Sequence, residues 1–142
     1  MSIPQPDIRP IADGKYRLES TYRLRYEDGA KRVVFKIRPG FIHDGASVPR
    51  LVWTISGLRP DGLLRAAALI HDALYQNCGA LPLGWIIPMR RPFTRSECDV
   101  IFREIMKLAG VGWWKRKVAY AGVRTGGWAS WRKHRRRIQN EA

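Results

Sequence analysis

Gly62-Leu63-Leu64-Arg65-Ala66-Ala67-Ala68-Leu69-Ile70-His71-Asp72-Ala73-Leu74-Tyr75-Gln76 is the stretch from which the fold is read. Its length and nearly unbroken apolar character predict a buried helix over 62–76. On such a helix His71 and Tyr75 lie four apart and share a face, whereas Asp72 points about 100° away. A histidine beside an aspartate on an otherwise apolar helix is costly unless each is paired or used. This is therefore the place to look for chemistry.

Moving towards the C-terminus, Gly79–Pro92 is an apolar loop or short hairpin. It either folds back over the core or presents a surface patch to a membrane or partner. Thr94 and Glu97 then form a capping box. Cys98, Ile101, Phe102, Ile105 and Leu108 recur at helical spacing up to Gly110. Asp99 sits in the first turns of this second helix. If the two helices pack antiparallel, Asp99 approaches His71 or Tyr75. A third helix is expected from near Gly112 past Trp131, with Val118, Ala121, Val123 and Trp128 as core contacts. Gly126-Gly127 weakens it by roughly 1 kcal/mol per glycine and marks a kink or a close helix contact.

Moving towards the N-terminus, Tyr16, Leu18, Ser20, Tyr22, Leu24 and Tyr26 alternate with polar residues, and after a turn at Asp28-Gly29 Val33, Phe35 and Ile37 alternate with Arg32, Val34, Lys36 and Arg38. This is a β-hairpin over 15–38. Residues 1–14 are an extended, proline-rich lead-in. Residues 40–61 form a loop, in which Leu51-Val52-Trp53 makes a short helix or strand. The expected fold is α+β in a single domain over 1–142. An N-terminal antiparallel hairpin or small sheet precedes a three-helix region, 62–131, in which two antiparallel helices bear the motifs. A basic tail, 132–142, ends the chain.

Hydrophobic residues make up 45% of the 142, enough for a core and too many for global disorder. The formal net charge is +14. Residues 89–142 hold 14 Lys or Arg against 4 Asp or Glu, a surplus of 10, so the charge is concentrated late. Such a field favours polyanions: nucleic acid, an anionic membrane surface, or an acidic protein. Trp113-Trp114-Lys115-Arg116-Lys117 and Trp128-Ala129-Ser130-Trp131-Arg132-Lys133 mix aromatic and basic residues. That pattern suits bilayer interfaces and nucleic-acid stacking. No sequence-reading DNA motif is present. Cys78 and Cys98 are no secreted disulfide scaffold and are expected to be reduced. Met1–Asp7 has no basic start and no apolar run, so no signal peptide is expected. The longest uncharged stretch, Ala73–Met89, is interrupted by Gly79, Pro82, Gly84 and Pro88, which excludes a membrane-spanning helix there.

A carboxylate beside a histidine fixes its tautomer and stabilises the imidazolium, and the histidine can then take a proton from water. Asp72, with loop carbonyls near Asp44–Ala46, suits a hard cation such as calcium. His43 and Asp44 joined to His71 and Asp99 would instead suit zinc. Ser47 as a nucleophile lacks a strand–turn–helix elbow.

The His71-Asp72-Ala73-Leu74-Tyr75 run together with Asp99 resembles the secreted phospholipases of the A2 type. Their signature is a helical His-Asp-x-x-Tyr with a further Asp from an antiparallel helix. The resemblance implies an ester hydrolase at a membrane surface. It makes His71 the general base, Asp99 its orienting partner, Asp72 a calcium ligand and Tyr75 a supporting residue. The disulfides and the glycine-rich calcium loop of that family have no counterpart here. Four further runs span most of the chain: Gly40-Phe41-Ile42-His43-Asp44-Gly45-Ala46-Ser47-Val48-Pro49-Arg50, Ile70–Tyr75, Asp99-Val100-Ile101-Phe102 and Tyr120-Ala121-Gly122-Val123-Arg124. In this order they resemble a family of small phage and prophage proteins of unknown function. That resemblance implies a phage origin and a location in the host cytoplasm or the virion, and brings no activity with it.

The competing reading is a non-enzymatic phage virion or host-interaction protein. In it the polar residues form a buried network that locks the loop 40–50 onto the first helix. Asp44 and Ser47 cap backbone amides there, and Arg50 pairs with Asp72 or Asp99. Solvent access at His71 separates the two readings. An open cleft favours the enzyme, and burial with saturated acids favours the network.

Overall fold

The computed structural model describes residues 3–12, 14–44 and 64–141. The segment 45–63, with Ser47, Arg50 and Leu51-Val52-Trp53, lies outside the described residues. The architecture is α+β. Two small antiparallel sheets come from the N-terminal part, and four helices follow among the described residues.

The first sheet has the order β1 (Ile8–Ala12), β2 (Lys15–Leu18), β5 (Ile42–His43), and the second has β3 (Tyr22–Asp28), β4 (Lys31–Ile37), β6 (Ile86–Ile87). The hairpin of β3 and β4 runs in register from Tyr22 opposite Ile37 to Asp28 opposite Lys31. Tyr22, Leu24 and Tyr26 alternate inward with Val33, Phe35 and Ile37, so one face is core and the other solvent.

Two expectations need correction here. The stretch 15–26 is not one strand. It is split at Glu19-Ser20-Thr21, and β2 leaves β3 to pair with β1 and β5. Leu18 and Glu19 bond backbone to backbone with Phe41 and Asp7, which turns the chain between the sheets. The lead-in 1–14 likewise contains a strand, β1, paired to β2 with an irregularity between Pro10 and Ala12.

Helix α1 (Arg65–Gln76) buries every residue from Ala66 to Tyr75. A helix that is apolar all round is a central one, and its four alanines, Ala66, Ala67, Ala68 and Ala73, let neighbours approach closely. Helix α2 (Arg95–Leu108) begins with the expected capping box. Thr94 accepts from the Glu97 amide, and the Glu97 carboxylate accepts from the Thr94 amide. It ends in a Schellman arrangement, Val111 N–H to Met106 O and Gly110 N–H to Lys107 O. Gly110 takes φ +88° there, a conformation that costs a residue with a Cβ. Cys98, Asp99, Ile101, Phe102, Ile105 and Met106 form its buried stripe. Helices α1 and α2 pack antiparallel: Tyr75 meets Arg95, whereas His71 meets Asp99 and Phe102.

The single third helix of the sequence reading is two helices, α3 (Trp113–Gly126) and α4 (Trp128–Glu141), broken at Gly127. Helix α3 lays Ala119 and Val123 against the core. The basic run belongs to α4 and is no unstructured tail. Trp131 and His134 are half-buried there, three apart on the side that faces α1. Val118, Ala121 and Trp128 are not core residues, since Val118 is half-buried and the other two are exposed. The apolar loop 79–92 folds back over the core in part. Leu81 and Ile86 are buried, while Leu83 is 86% exposed. The thiols of Cys78 and Cys98 are free. No helix among the described residues is long and apolar enough to cross a membrane.

Glu97 is held at a pKa of about 2, first by hydrogen bonds from Arg91 and then by the Thr94 amide. A depressed carboxylate stabilises the fold above its ordinary pKa of 4.5 and loses that contribution as pH falls towards 2. Thr94→Ala should cost about 1 kcal/mol in urea unfolding. The gap between wild type and Glu97→Gln should narrow as pH drops through that window. A gap that does not change with pH would show that Arg91 contributes nothing through charge.

Candidate functional site

Helix α1 carries His71 and Tyr75 on the side facing α2, because they are four residues apart. Asp72, one residue on, faces β5. The polar residues therefore fall into two separate buried groups on opposite flanks of α1.

The first group centres on Asp99 of α2, which is fully buried. Its Oδ1 accepts from the Tyr75 hydroxyl at 2.6 Å and lies 2.7 Å from His71 Nε2. A carboxylate only accepts, which assigns the ring proton of His71 to Nε2. Oδ2 accepts from Arg124 at 2.7 Å and from Arg95 at 3.4 Å. Four donors from three helices thus fill both oxygens. Arg95 reaches further and donates to the carbonyls of Val123 and Arg124 at 3.1 and 3.2 Å. A cation at the C-terminal end of α3 meets unpaired carbonyls and the negative pole of the helix dipole. Burial first, and the Asp99 carboxylate second, push the Tyr75 phenol well above its usual pKa, so it stays a donor. The imidazole of His71 is enclosed by aromatic rings, Tyr75 at 4.2 Å and Phe102 at 4.7 Å between centroids.

Gly127 is the cost of this arrangement in backbone terms. A Cβ there would sit 2.7 Å from the Tyr75 hydroxyl oxygen and 2.5 Å from the Val123 carbonyl. The break between α3 and α4 therefore lies where the Tyr75–Asp99 bond needs room.

The second group joins β5 to α1. His43 Nδ1 lies 2.6 Å from Asp72 Oδ2, and both side chains are buried. Among the described residues, the buried His43 Nε2 has no hydrogen-bond partner, nor does His134 Nδ1 on α4. The pKa of His134 is lowered by burial and then by Arg137 and Lys133, against the pull of Asp44 and Asp72.

The expected site residues are thus partly united. His71, Tyr75 and Asp99 meet as the sequence suggests. Asp72 belongs to the other flank and holds His43, and Asp44 is exposed. Among the described residues no group of three or more His, Cys, Asp or Glu could hold a metal ion. Of the residues considered for zinc, His71 and Asp99 lie in one group and His43 in the other, and the loop carbonyls that would complete a calcium site at Asp72 and Asp44 reach into the segment outside the described residues. The sequence reading missed Arg95 and Arg124. Arg95 precedes Asp99 by four on a predicted helix, a spacing that signals an ion pair. Arg124 closes the motif 120–124, where no role was assigned to it.

The profile of a family described as proteins of unknown function, DUF1353, matches residues 17–123, and the chain belongs to that family. The match takes in both histidine–aspartate pairs and stops short of α4. No curated protein and no solved structure matches the chain.

Removing the Asp99 charge strands two guanidiniums and a phenol. Breaking a buried ion pair typically costs 3–5 kcal/mol. The side chains of Arg95 and Arg124 retain 21% and 35% exposure, so water takes up part of their charge. Asp99→Asn should therefore fall near the low end, about 3 kcal/mol, in denaturant unfolding. Tyr75→Phe leaves Asp99 three donors and should cost about 1–2 kcal/mol. Gly127→Ala should cost about 1–3 kcal/mol through overpacking. A loss under about 1 kcal/mol for Asp99→Asn would mean that the cluster behaves like a surface pair.

Proposed function

We propose that this member of the DUF1353 family is a non-enzymatic, polyanion-binding protein whose histidine–aspartate pairs are structural. It is of phage or prophage origin and acts in the host cytoplasm or the virion. The observation that carries the reading is the exposed side of α4. Arg132, Lys133, Arg135 and Arg136 stand there within five residues, and no ion pair with a described acidic residue engages them. Single-signed charge of that density attracts polyanions.

The buried cluster supports the same reading from the other side. A general base must reach a substrate proton or a water. His71 is wholly buried between two aromatic rings and an aspartate. The charge of Asp99 is already balanced by Arg95 and Arg124. A carboxylate so engaged holds helices together and has little left to give to charge developing on a substrate.

One observation favours the phospholipase-type esterase as a second reading. His71 Nε2, Asp99 Oδ1 and the Tyr75 hydroxyl do converge, at 2.7 and 2.6 Å, as the resemblance implies for a base, its orienting partner and a supporting residue.

Two measurements on the full chain separate the readings. Elution from immobilised heparin should require high salt in the wild type, and far less when the four α4 cations are changed to Gln. Anionic phospholipid vesicles with added calcium should show no release of fatty acid. Sustained turnover that disappears in His71→Gln, with the fold intact by circular dichroism, would replace the binding reading with the esterase.

A further inference from the structure

The outward side of α4 says more than that it is positive. Trp128, Arg132 and Arg136 follow one another at four-residue spacing and so line one side of the helix. With Lys133, Arg137 and Asn140 they border a shallow groove along it. Trp128 is 50% exposed, and the Arg132 guanidinium lies 5.5 Å from the centre of its ring. Four of the five cations of α4 are arginines, whose planar forks match phosphate oxygens in pairs, where lysine offers a point charge. Arg137 is the one turned partly inward, donating to the Gln76 carbonyl at 2.7 Å.

Which polyanion this suits follows from the apolar content. A helix that lies in a bilayer surface needs a continuous apolar face. The exposed large apolar residues of α4 are Trp128 and, at 38%, Ile138. Arginine, lysine, glutamine and asparagine fill most of the rest of that side. The surface therefore lacks what insertion requires. A solvent-exposed indole flanked by cations is what unpaired bases use: the ring stacks on a base and the guanidiniums follow the backbone. A closed duplex offers the cations their phosphates but gives the indole no face to stack on.

We propose that α4 binds single-stranded nucleic acid, with Trp128 as a base-stacking platform and Arg132 and Arg136 as its phosphate contacts. This rests on the polyanion-binding reading and specifies its partner. Binding is independent of sequence, because stacking on the ring and contacts to the backbone use features that every nucleotide shares.

The test uses the full chain with three probes. They are a fluorescent oligothymidine of about 16 nucleotides, a duplex of equal length, and phosphatidylglycerol-containing vesicles. Trp128→Leu keeps the charge and removes the stacking ring. It should weaken oligothymidine binding about tenfold and leave duplex binding unchanged. Arg132→Gln with Arg136→Gln should weaken both and lower the slope of log affinity against log salt by roughly 1.5. All these side chains are exposed, and unchanged thermal unfolding of each variant confirms an intact fold. Equal affinity of Trp128→Leu and wild type for oligothymidine overturns the proposal, as does binding to vesicles without binding to oligothymidine. Either result leaves the polyanion reading standing. Binding to none of the probes overturns both.

Discussion

A single buried carboxylate organises the helical half of this protein. Placing the charge of Asp99 out of water costs several kcal/mol unless donors and countercharges surround it. The chain supplies His71 and Tyr75 from α1, Arg95 from its own helix and Arg124 from α3. Because each donor must arrive within hydrogen-bond distance, the requirement sets the register of α1 against α2 and of α3 against both. Apolar packing alone tolerates sliding and repacking, and a charge with four named partners does not. The break at Gly127 follows from the same requirement. A continuous helix with a side chain at that position would run into the Tyr75 hydroxyl.

Arginine is used in two ways. Arg95 and Arg137 each donate to carbonyls at the C-terminal end of a neighbouring helix, α3 and α1 respectively. There the exposed oxygens and the helix dipole both favour a cation. Part of the large positive surplus is therefore structural and fastens helices end to side. The cations gathered on the outward side of α4 pair with no described acid and raise the self-repulsion of the folded state.

Much of this was legible in the sequence, for identifiable reasons. The capping box at Thr94 and Glu97 and the stripe from Cys98 onward depend on local chemistry and appear where the residues put them. The meeting of His71, Tyr75 and Asp99 was legible because helical periodicity puts the first two on one face and puts Asp99 beside the apolar face of the partner helix. The two-sheet arrangement was not. Period two runs from Tyr16 to Tyr26 with one lapse, at Ser20, so the alternation barely marks the place where the chain leaves one sheet for another. The only local sign is Glu19-Ser20-Thr21, whose polar run and absence of a buried apolar residue permit the break without demanding it. Arg95 and Arg124 escaped notice because arginine in a basic chain looks like surface charge. What reveals their role is burial of their acceptor, and burial is not a local property.

The placement of the two histidine–aspartate pairs bears most directly on function. Each resembles a base with its orienting carboxylate, yet both lie on the core-facing surfaces of α1, a helix buried from Ala66 to Tyr75. Polar side chains on such a helix need partners whatever the protein does, and histidine with aspartate meets that need economically. One imidazole nitrogen answers one carboxylate oxygen, and the flat ring packs against Tyr75 and Phe102 on one flank and Tyr16 on the other. The pairing pattern that suggests catalysis is thus also what burial alone selects. Access to solvent is what distinguishes them: both pairs are closed to it, whereas the arginines of α4 and its Trp128 are open.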